Sequence, residues 1–597
     1  MEKTLRFIGI VDDKMTFIVG DGTPRNFNYA IHVKASPGSQ LTIHYDDGIT
    51  SNGTDHIEDE VMNCDGTLQT YSRRIYLPYD IHYITLSGSA VRNMNTLRFD
   101  GGGYLRNMPV YGSYFTLNRS LEELQLSGMY ENAQRTWSPL WNGMPNLKRL
   151  ILNGTSLSGV DFTASNGSRP QKLEILDLSN TNIRNVDISG LSGLISADLR
   201  NMRRADYSTE PIAIDTVNAS GCPNLKYINL YNDSNTQCSY KWGSFNFEND
   251  YSLISTDFRY NRWLGEINYK GCSGLQAIKL ASTGSERFDK ASLSGTRLQI
   301  KYAGNISLIS TYFDGVDDAI ANLPTAEEAP NLRGITVYSD NARIASAPMT
   351  MDFSRYSKLI SAYFGQTYSI QKVICYNNNS LSSLTFTSNL AYPNSIDIQN
   401  NANLRVLSFS NSNTQSAASS GYLDAVTLVN NPLLSTVTLN GGKLQEMFNV
   451  KQMPYMYTFE ANFTHLIGEM KVDGFGKREG NYPVTFRLMN NDTTSSLKIT
   501  NSNLATLYLT NSTALTDVYV HGSLYAPLSM ALDNTSSLTG VWLSGNALQT
   551  RYMDTLLSAT LKPVNNGTID FRGNLSGYEP SLPAIGIAQS RGWTVLY

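Results

Sequence analysis

A phrase of three apolar residues, L-x-x-L-x-L, returns along this chain and leaves it few ways to fold. In NSNLATLYLTNSTALTDVYVHGS (Asn501 to Ser523) it occurs twice: Leu504, Leu507 and Leu509, then, eleven residues on, Leu515, Val518 and Val520. The last two positions of each phrase alternate, as on a strand with one buried face, and the first points inward from the approach to that strand. Asn, Ser, Thr and Gly at the breaks supply turn chemistry. Burying three such side chains is worth roughly 1.5–3 kcal/mol each, whereas ordering the phrase costs about 1–2 kcal/mol per residue in backbone entropy. One phrase cannot fold alone. It has to stack on copies of itself, as in a solenoid.

The copies run through most of the chain. LEELQLSG begins at Leu121, LKRLILNG at Leu147, LEILDLSN at Leu173, PNLKYINLYN carries Leu225, YSLISTDF carries Leu253 and SGLQAIKL carries Leu275. PNLRGITVYS, SKLISAYFGQ, NSLSSLTFTS, NANLRVLSFSN, NPLLSTVTLN and SSLTGVWLSGN follow. Intervals near ten to eleven residues, or twice that, imply coils that carry two such segments on opposite walls. Amphipathic helices would need i, i+3, i+4, i+7 spacing and little Gly or Asn, and that pattern is largely missing. The fold class predicted is mainly β: a repeat solenoid with a smaller β domain in front and a short helical cap behind.

L-x-x-L-x-L-x-x-N is the core of a leucine-rich repeat. The versions preceded by SGC-x-x-L or NN-x-x-L, as in NASGCPNLKYINLYN and NNANLRVLSFSN, resemble the BspA-like leucine-rich repeats of Bacteroidota surface proteins. The resemblance covers about Leu121 to Tyr597 and implies architecture more than activity. Many consensus leucines are Tyr, Phe, Thr or Ile here, and the register breaks around 282–330 and 440–495, where irregular coils or inserted loops are expected.

Before the repeats, LTIHYDDGIT (Leu41 to Thr50) alternates and runs into a DDG turn, and RRIYLPYDIHYITLSGS follows. This resembles the PKD-like, immunoglobulin-type domains that precede such repeats, with Tyr45 and Asp46 in place of their Trp-Gly, and it implies a two-sheet sandwich over 1–108. The solenoid is assigned to 109–545. In 546–597, NALQTRYMDTLLSATLKPV predicts a helix with Tyr552, Leu556 and Leu557 inward, NNGTIDFRGN a strand, and EPSLPAIGIAQSRGWTVLY a helix closed by Gly592 and a last strand. Such a cap covers the open end of the apolar core. DGGGYL (Asp100 to Leu105) reads as a bend between domain and solenoid, and Val316 to Leu323 as a short helix.

Charged residues are only 16% of the chain, net charge is −4, and there is no basic run; duplex nucleic acid as a partner would need clustered Lys and Arg. The five cysteines are Cys64, Cys222, Cys238, Cys272 and Cys375. Cys222 and Cys272 share a repeat position with Asn, which predicts a small buried side chain at a turn and free thiols. No C-x-x-C suggests zinc. The amino terminus lacks a sustained apolar run with a cleavage site, and no stretch approaches eighteen apolar residues, so neither export by the ordinary route nor membrane insertion is expected.

Motifs for catalysis are missing: no G-x-S-x-G, P-loop or H-E-x-x-H occurs. Strand alternation accounts for His44 and His82 as half-exposed positions, DHIEDE (Asp55 to Glu60) reads as a solvated acidic turn, and Asp177 and Asp257 project from repeat strands without a pairing that would cleave a glycan. No catalytic residue, metal or cofactor is assigned. Outward strand positions remain: Tyr227 with Asn229 and Tyr231, Asp257 with Arg259, Lys279, and Tyr519 with Trp542. The last two occupy equal positions 23 residues apart and are expected side by side on one wall; aromatics with one wet edge are common binding anchors.

Together these features imply a non-enzymatic recognition protein. The reading drawn from the repeat resemblance is a virion protein, a tail-associated or fibre component of a phage of Bacteroidota. It would dock to other virion proteins through its leading domain and bind a host cell-surface protein or glycan through the solenoid, with a homo-oligomer possible. The alternative is a bacterial cell-surface adhesin, and a polysaccharide-cleaving tail enzyme is a third reading.

Overall fold

The computed structural model describes residues 14–19, 25–46, 58–77, 82–105, 119–129, 136–139, 141–155, 157–163, 168–201, 216–231, 243–258, 264–281, 299–316, 319–340, 349–366, 370–387, 395–410, 422–440, 443–462, 465–466, 469–476, 484–491, 494–523, 529–574 and 577–597. The chain divides into two compact units, Met1–Leu308 and Ile309–Tyr597.

The first unit opens with antiparallel strands. Gln40–Asp46 pairs with Glu60–Asn63 and with His82–Ser87, which also pairs with Lys14–Val19. Arg25–Ala35 pairs with Leu68–Leu77 and Met94–Leu105. Alternate residues of both groups are buried, among them Phe17, Ile43 and Leu86 from the first and Ile31, Leu97 and Phe99 from the second. The rings of Phe17 and Phe99 stack at 4.6 Å between centroids. DGGGYL is not a bend: it lies in the strand Met94–Leu105, and the irregularity falls in its register with the next strand, between Asp100 and Leu105. Met94–Leu105 pairs in parallel with Glu123–Met129, so the antiparallel part leads into the first coil through backbone hydrogen bonds.

From there every pairing among the described residues of the coils is parallel. One wall of the first unit runs through Glu123–Met129, Arg149–Ile151, Ile175–Asp177, Ser196–Asp198, Tyr227–Asn229, Ser255–Asp257 and Ala277–Ala281. The second runs through Asn185–Asp187, Thr216–Asn218, Gly243–Asn246, Leu264–Asn268 and Gln299–Lys301. The second unit repeats the arrangement. Leu504–Thr510 pairs with Val484–Met489 and Ser529–Asp533, whereas the next phrase, Asp517–His521, pairs with Ser496–Thr500 and Gly540–Trp542. Successive phrases therefore belong to opposite walls of one coil. All six apolar residues of the repeated phrase are at most 1% exposed. The described coils form a mainly β solenoid with two walls of parallel strands.

The corners explain the SGC and NN signatures. After most strands of the second wall one residue takes left-handed backbone and the next is buried: Gly221 (φ 72°) before Cys222, Asn249 (66°) before Asp250, Gly271 (78°) before Cys272, and, in the second unit, Asn377 (54°), Asn400 (57°) and Asn430 (53°) before Asn378, Asn401 and Asn431. Gly and Asn are the residues that reach this region at least cost. At Gly271 a Cβ would also fall 2.5 Å from Asn249 Oδ1, so that side chain would have to move aside.

The buried side chains form a ladder between coils. Asn401 Oδ1 accepts the Asn378 N–H at 2.9 Å while its amide donates to the Cys375 carbonyl at 2.9 Å; Asn431 repeats both bonds with the Asn401 N–H (3.1 Å) and the Ile398 carbonyl (3.0 Å). Cysteine fits the same position because its thiol also donates: Cys222 Sγ to Ile188 O at 3.1 Å and Cys272 Sγ to Phe247 O at 2.9 Å. Asp250 lies on the coil between the two cysteines. With strands about 4.8 Å apart, two coils separate their Cα atoms by about 10 Å, beyond the roughly 7 Å a disulfide spans. Cys64, Cys222, Cys272 and Cys375 are buried free thiols; Cys238 lies outside the described residues. Burial pushes the Cys222, Cys272 and Cys375 thiols up to about 12. These cysteines should resist a thiol reagent in the native protein and react in denaturant without reductant. A Cys222–Cys272 disulfide found by mass spectrometry would contradict the stacking order.

Around 440–495 the strands Lys443–Met453, Thr458–Asn462, Glu469–Phe475 and Val484–Met489 continue the ladders, with register shifts between Leu444 and Met447 and between Val484 and Thr485. Residues 477–483 and 492–493, where inserted loops are expected, lie outside the described residues. The apolar positions of these strands are largely filled by Met, Phe and Val. Near Val316 to Leu323 only a 3-10 turn forms, Ile320–Asn322, because Val316 still ends a strand. At the far end a helix, Thr550–Thr555, widens into a π-helical turn, Leu556–Thr560, and buries Met553, Leu556 and Leu557. The helix Leu582–Ser590 and strand Trp593–Leu596 close the cap. At Gly592 (φ 86°) a Cβ would lie 1.9 Å from the Val564 carbonyl.

Candidate binding surfaces on the solenoid walls

Because inward positions are filled with Leu, Ile, Val and Phe, chemistry is confined to the alternate residues. On the first unit these form a row through Asp177, Asp198, Asn229, Asp257 and Lys279. Its acidic members are largely turn-makers. Asp177 Oδ1 accepts the Ser179 N–H at 2.9 Å, Asp198 Oδ1 the Arg200 N–H and Asn229 Oδ1 the Tyr231 N–H, both at 3.2 Å. Burial raises the Asp198 carboxyl above its usual range, and neighbouring Asp177 adds to the shift. Asp257 sits beside Lys279 in the row, Tyr231 is half-buried just past its strand, and Arg259 lies outside the described residues. Tyr227 is 53% exposed but stands between Ser196 and Ser255, so it joins no aromatic platform.

On the second unit Tyr519 and Trp542 are register partners, their rings stacked at 5.8 Å and 9°. Trp542 Nε1 donates to Asp517 Oδ1 at 3.3 Å. Both side chains are half-buried, with the ring faces against each other. Lys498 precedes Tyr519 in this row, and Asp570, held below the usual carboxylate range by the bidentate Arg572 guanidinium, follows Trp542.

The opposite wall carries a surface that the sequence reading passed over. One outward row is Ser361, Ser383, Val406, Thr436, Thr458, Thr485, Thr506 and Ser529; the next is Tyr363, Thr385, Ser408, Thr438, Glu460, Arg487 and Tyr508. Only the adjacent Glu460 and Arg487 carry charge, and Arg487 lies over the Tyr508 ring at 5.0 Å. Tyr338, 55% exposed, stacks on Tyr363 at 6.3 Å. Eight parallel strands at about 4.8 Å make a face about 35 Å long. The signal was present in TVTLN and TFRLM, where Thr alternates with the apolar residues, but a Thr between two buried neighbours reads equally as ordinary strand filler.

No protein-family profile matches the chain, and no curated protein does. Among solved structures it is similar to a chain of the mouse RP105/MD-1 complex, at 13% identity over 81% of this chain and 80% of that one, with a TM-score of 0.19. It is also similar to a chain of the plant peptide hormone receptor RGFR1 in complex with RGF2, at 13% identity over 76% and 83%, with a TM-score of 0.20. Superpositions this loose transfer neither fold nor function. Among the described residues no group of His, Cys, Asp and Glu is placed to hold a metal, and no helix is long and apolar enough to cross a membrane.

Proposed function

We propose that the protein is a recognition protein that holds a largely uncharged partner, a protein surface or a glycan, against the Ser/Thr/Tyr face of its second unit. The observation that carries this reading is the register of the two outward rows, which lines up hydroxyls and tyrosines strand after strand with the neighbouring Glu460 and Arg487 as their only charged residues. Hydroxyls both donate and accept, and exposed tyrosines add rigid contact area, so such a face suits a neutral polar partner. Binding should be only mildly sensitive to salt.

The finer reading is a tail-associated or fibre protein of a phage that attaches to a host surface, with residues 1–108 docking to other virion proteins and a homo-oligomer possible; the alternative is a cell-surface adhesin. It rests on the repeat resemblance and on the free thiols, and the genes beside this one would decide between the two.

Attachment of the purified chain to host cells, or to arrayed glycans, tests the binding surface. Thr438→Lys with Thr485→Lys should cut attachment at least tenfold and leave the fold intact, because both side chains already point outward. Undiminished attachment would remove this face from consideration. Tyr519→Ser with Trp542→Ser tests the other wall in the same assay. Reduced attachment in a folded protein is expected if the stacked rings are an anchor.

A further inference from the structure

Three strands of the leading antiparallel group bring together side chains that the recognition reading does not use. On the outward face of Gln40–Asp46, His44 lies opposite Thr85 of His82–Ser87, which places it diagonally from Ser87, the partner of Thr42. His44 Nδ1 is 2.5 Å from Asp59 Oδ2, and His44 Nε2 is 2.6 Å from Ser87 Oγ. Asp59 precedes Glu60–Asn63, whose antiparallel pairing sets it across from His44. On the other side of Ser87, Lys14 is its register partner and is exposed. Nothing in the local sequence announces this arrangement, since Asp59 and Ser87 lie 15 and 43 positions from His44.

We propose that Ser87, His44 and Asp59 form a serine-nucleophile site that hydrolyses small carboxylic esters, independent of what the solenoid binds. Each residue has a distinct part in that chemistry. Asp59 accepts the Nδ1–H, which fixes the imidazole ring and leaves Nε2 free to accept the Ser87 hydroxyl proton. Ser87 Oγ adds to the ester carbonyl as its proton passes to Nε2. The imidazolium is held by the Asp59 carboxylate, and the exposed Lys14, register partner of Ser87, supplies the nearest positive charge on that side of the strand. Collapse breaks the bond to the leaving alkoxide, which takes the proton from Nε2 and departs as an alcohol, leaving acyl-Ser87. Water then attacks the acyl carbon and gives its proton to Nε2. The carboxylic acid leaves as Ser87 Oγ recovers that proton, so the net reaction is ester plus water to acid plus alcohol. Among the described residues the face is an open sheet: His44 and Asp59 side chains are 36% and 51% exposed while Ser87 is 9% exposed, and no described element stands over them to grip a peptide or a large acyl chain. That is why small acyl groups are the class named.

Diisopropyl fluorophosphate on the full chain, followed by peptide mapping, reads the nucleophile directly. Ser87 should be the labelled serine of this region, with labelling lost in His44→Ala and slowed at least tenfold in Asp59→Asn. p-Nitrophenyl acetate hydrolysis should fall at least a hundredfold in Ser87→Ala. Asp59 stands at the exposed rim, so Asp59→Asn keeps a folded protein for comparison even where Ser87→Ala is less stable. An unlabelled Ser87 in the folded native chain, or hydrolysis unchanged in Asp59→Asn, would overturn the proposal and reduce the three residues to a hydrogen-bonded brace on the sheet.

Discussion

Asp250→Asn is expected to stabilise the unit Met1–Leu308, and to do so far more at pH 8 than at pH 4. Asp250 occupies a corner position of the kind that Asn378, Asn401 and Asn431 fill elsewhere. Its Oδ1 accepts the Cys222 N–H at 2.8 Å, but its Oδ2 is buried with no hydrogen-bond partner. At the equivalent place Asn has an amide that donates to a carbonyl of the coil before, and only the protonated acid can imitate that donor. Burial accordingly raises the Asp250 carboxyl from 3.8 to about 8. A folded-state value above the unfolded one means that the native protein keeps a proton the unfolded chain releases. Stability is therefore complete below the unfolded value and is lost as pH rises through the folded one. At about 1.4 kcal/mol per pH unit, the loss across this window reaches several kcal/mol. The thiols on either side, Cys222 and Cys272, are pushed up to about 12 and do not titrate there, and nearby Glu248 is held low by Lys270. Urea unfolding at pH 4 and pH 8 would show the difference. Equal pH slopes in the two proteins would show that Asp250 is not carrying its proton in the fold.

Leu507→Asp should be the most damaging single change in the second unit. Leu507 is fully buried, with Phe486 and Met530 as its register partners on either side. A carboxylate there has no cation and no donor, a cost of several kcal/mol or more. Because each coil is stable only against its neighbours, the loss should spread to the adjacent coils instead of staying local. Tyr508→Ser, one residue along and outward, should cost about 1 kcal/mol or less, mainly its contact with Arg487. Circular dichroism and thermal unfolding of the two variants separate the faces. A Leu507→Asp protein that melts like the parent would contradict the inward placement of the phrase.

Much of this architecture was legible because it is local. The i, i+3, i+5 spacing tells which side of a strand is buried, and it held even where Leu is replaced: Tyr269 and Phe258 are fully buried in positions that other coils give to aliphatic residues. The interval of about eleven residues told that two segments share a coil. The Gly-Cys and Asn-Asn pairs marked corners, since a left-handed residue followed by a small donor is a requirement that one dipeptide can express. The final helix and strand around Gly592 were readable for the same reason. Reading failed where Gly-rich sequence suggested a bend but the chain stayed extended, as in Asp100 to Leu105.

What the sequence alone determined is each residue's face: inward or outward, wall or corner. Which outward residues become neighbours was decided by the tertiary structure. Thr436, Thr458 and Thr485 adjoin because stacking sets their strands in register, and the insertions of varying length between coils carry no trace of that register. The placing of Asp250 between Cys222 and Cys272, and of Asp59 and Ser87 on the two nitrogens of His44, has the same origin. Spacing along the chain fixes periodicity through the geometry of a strand, whereas contacts between strands depend on long-range packing that no local pattern encodes.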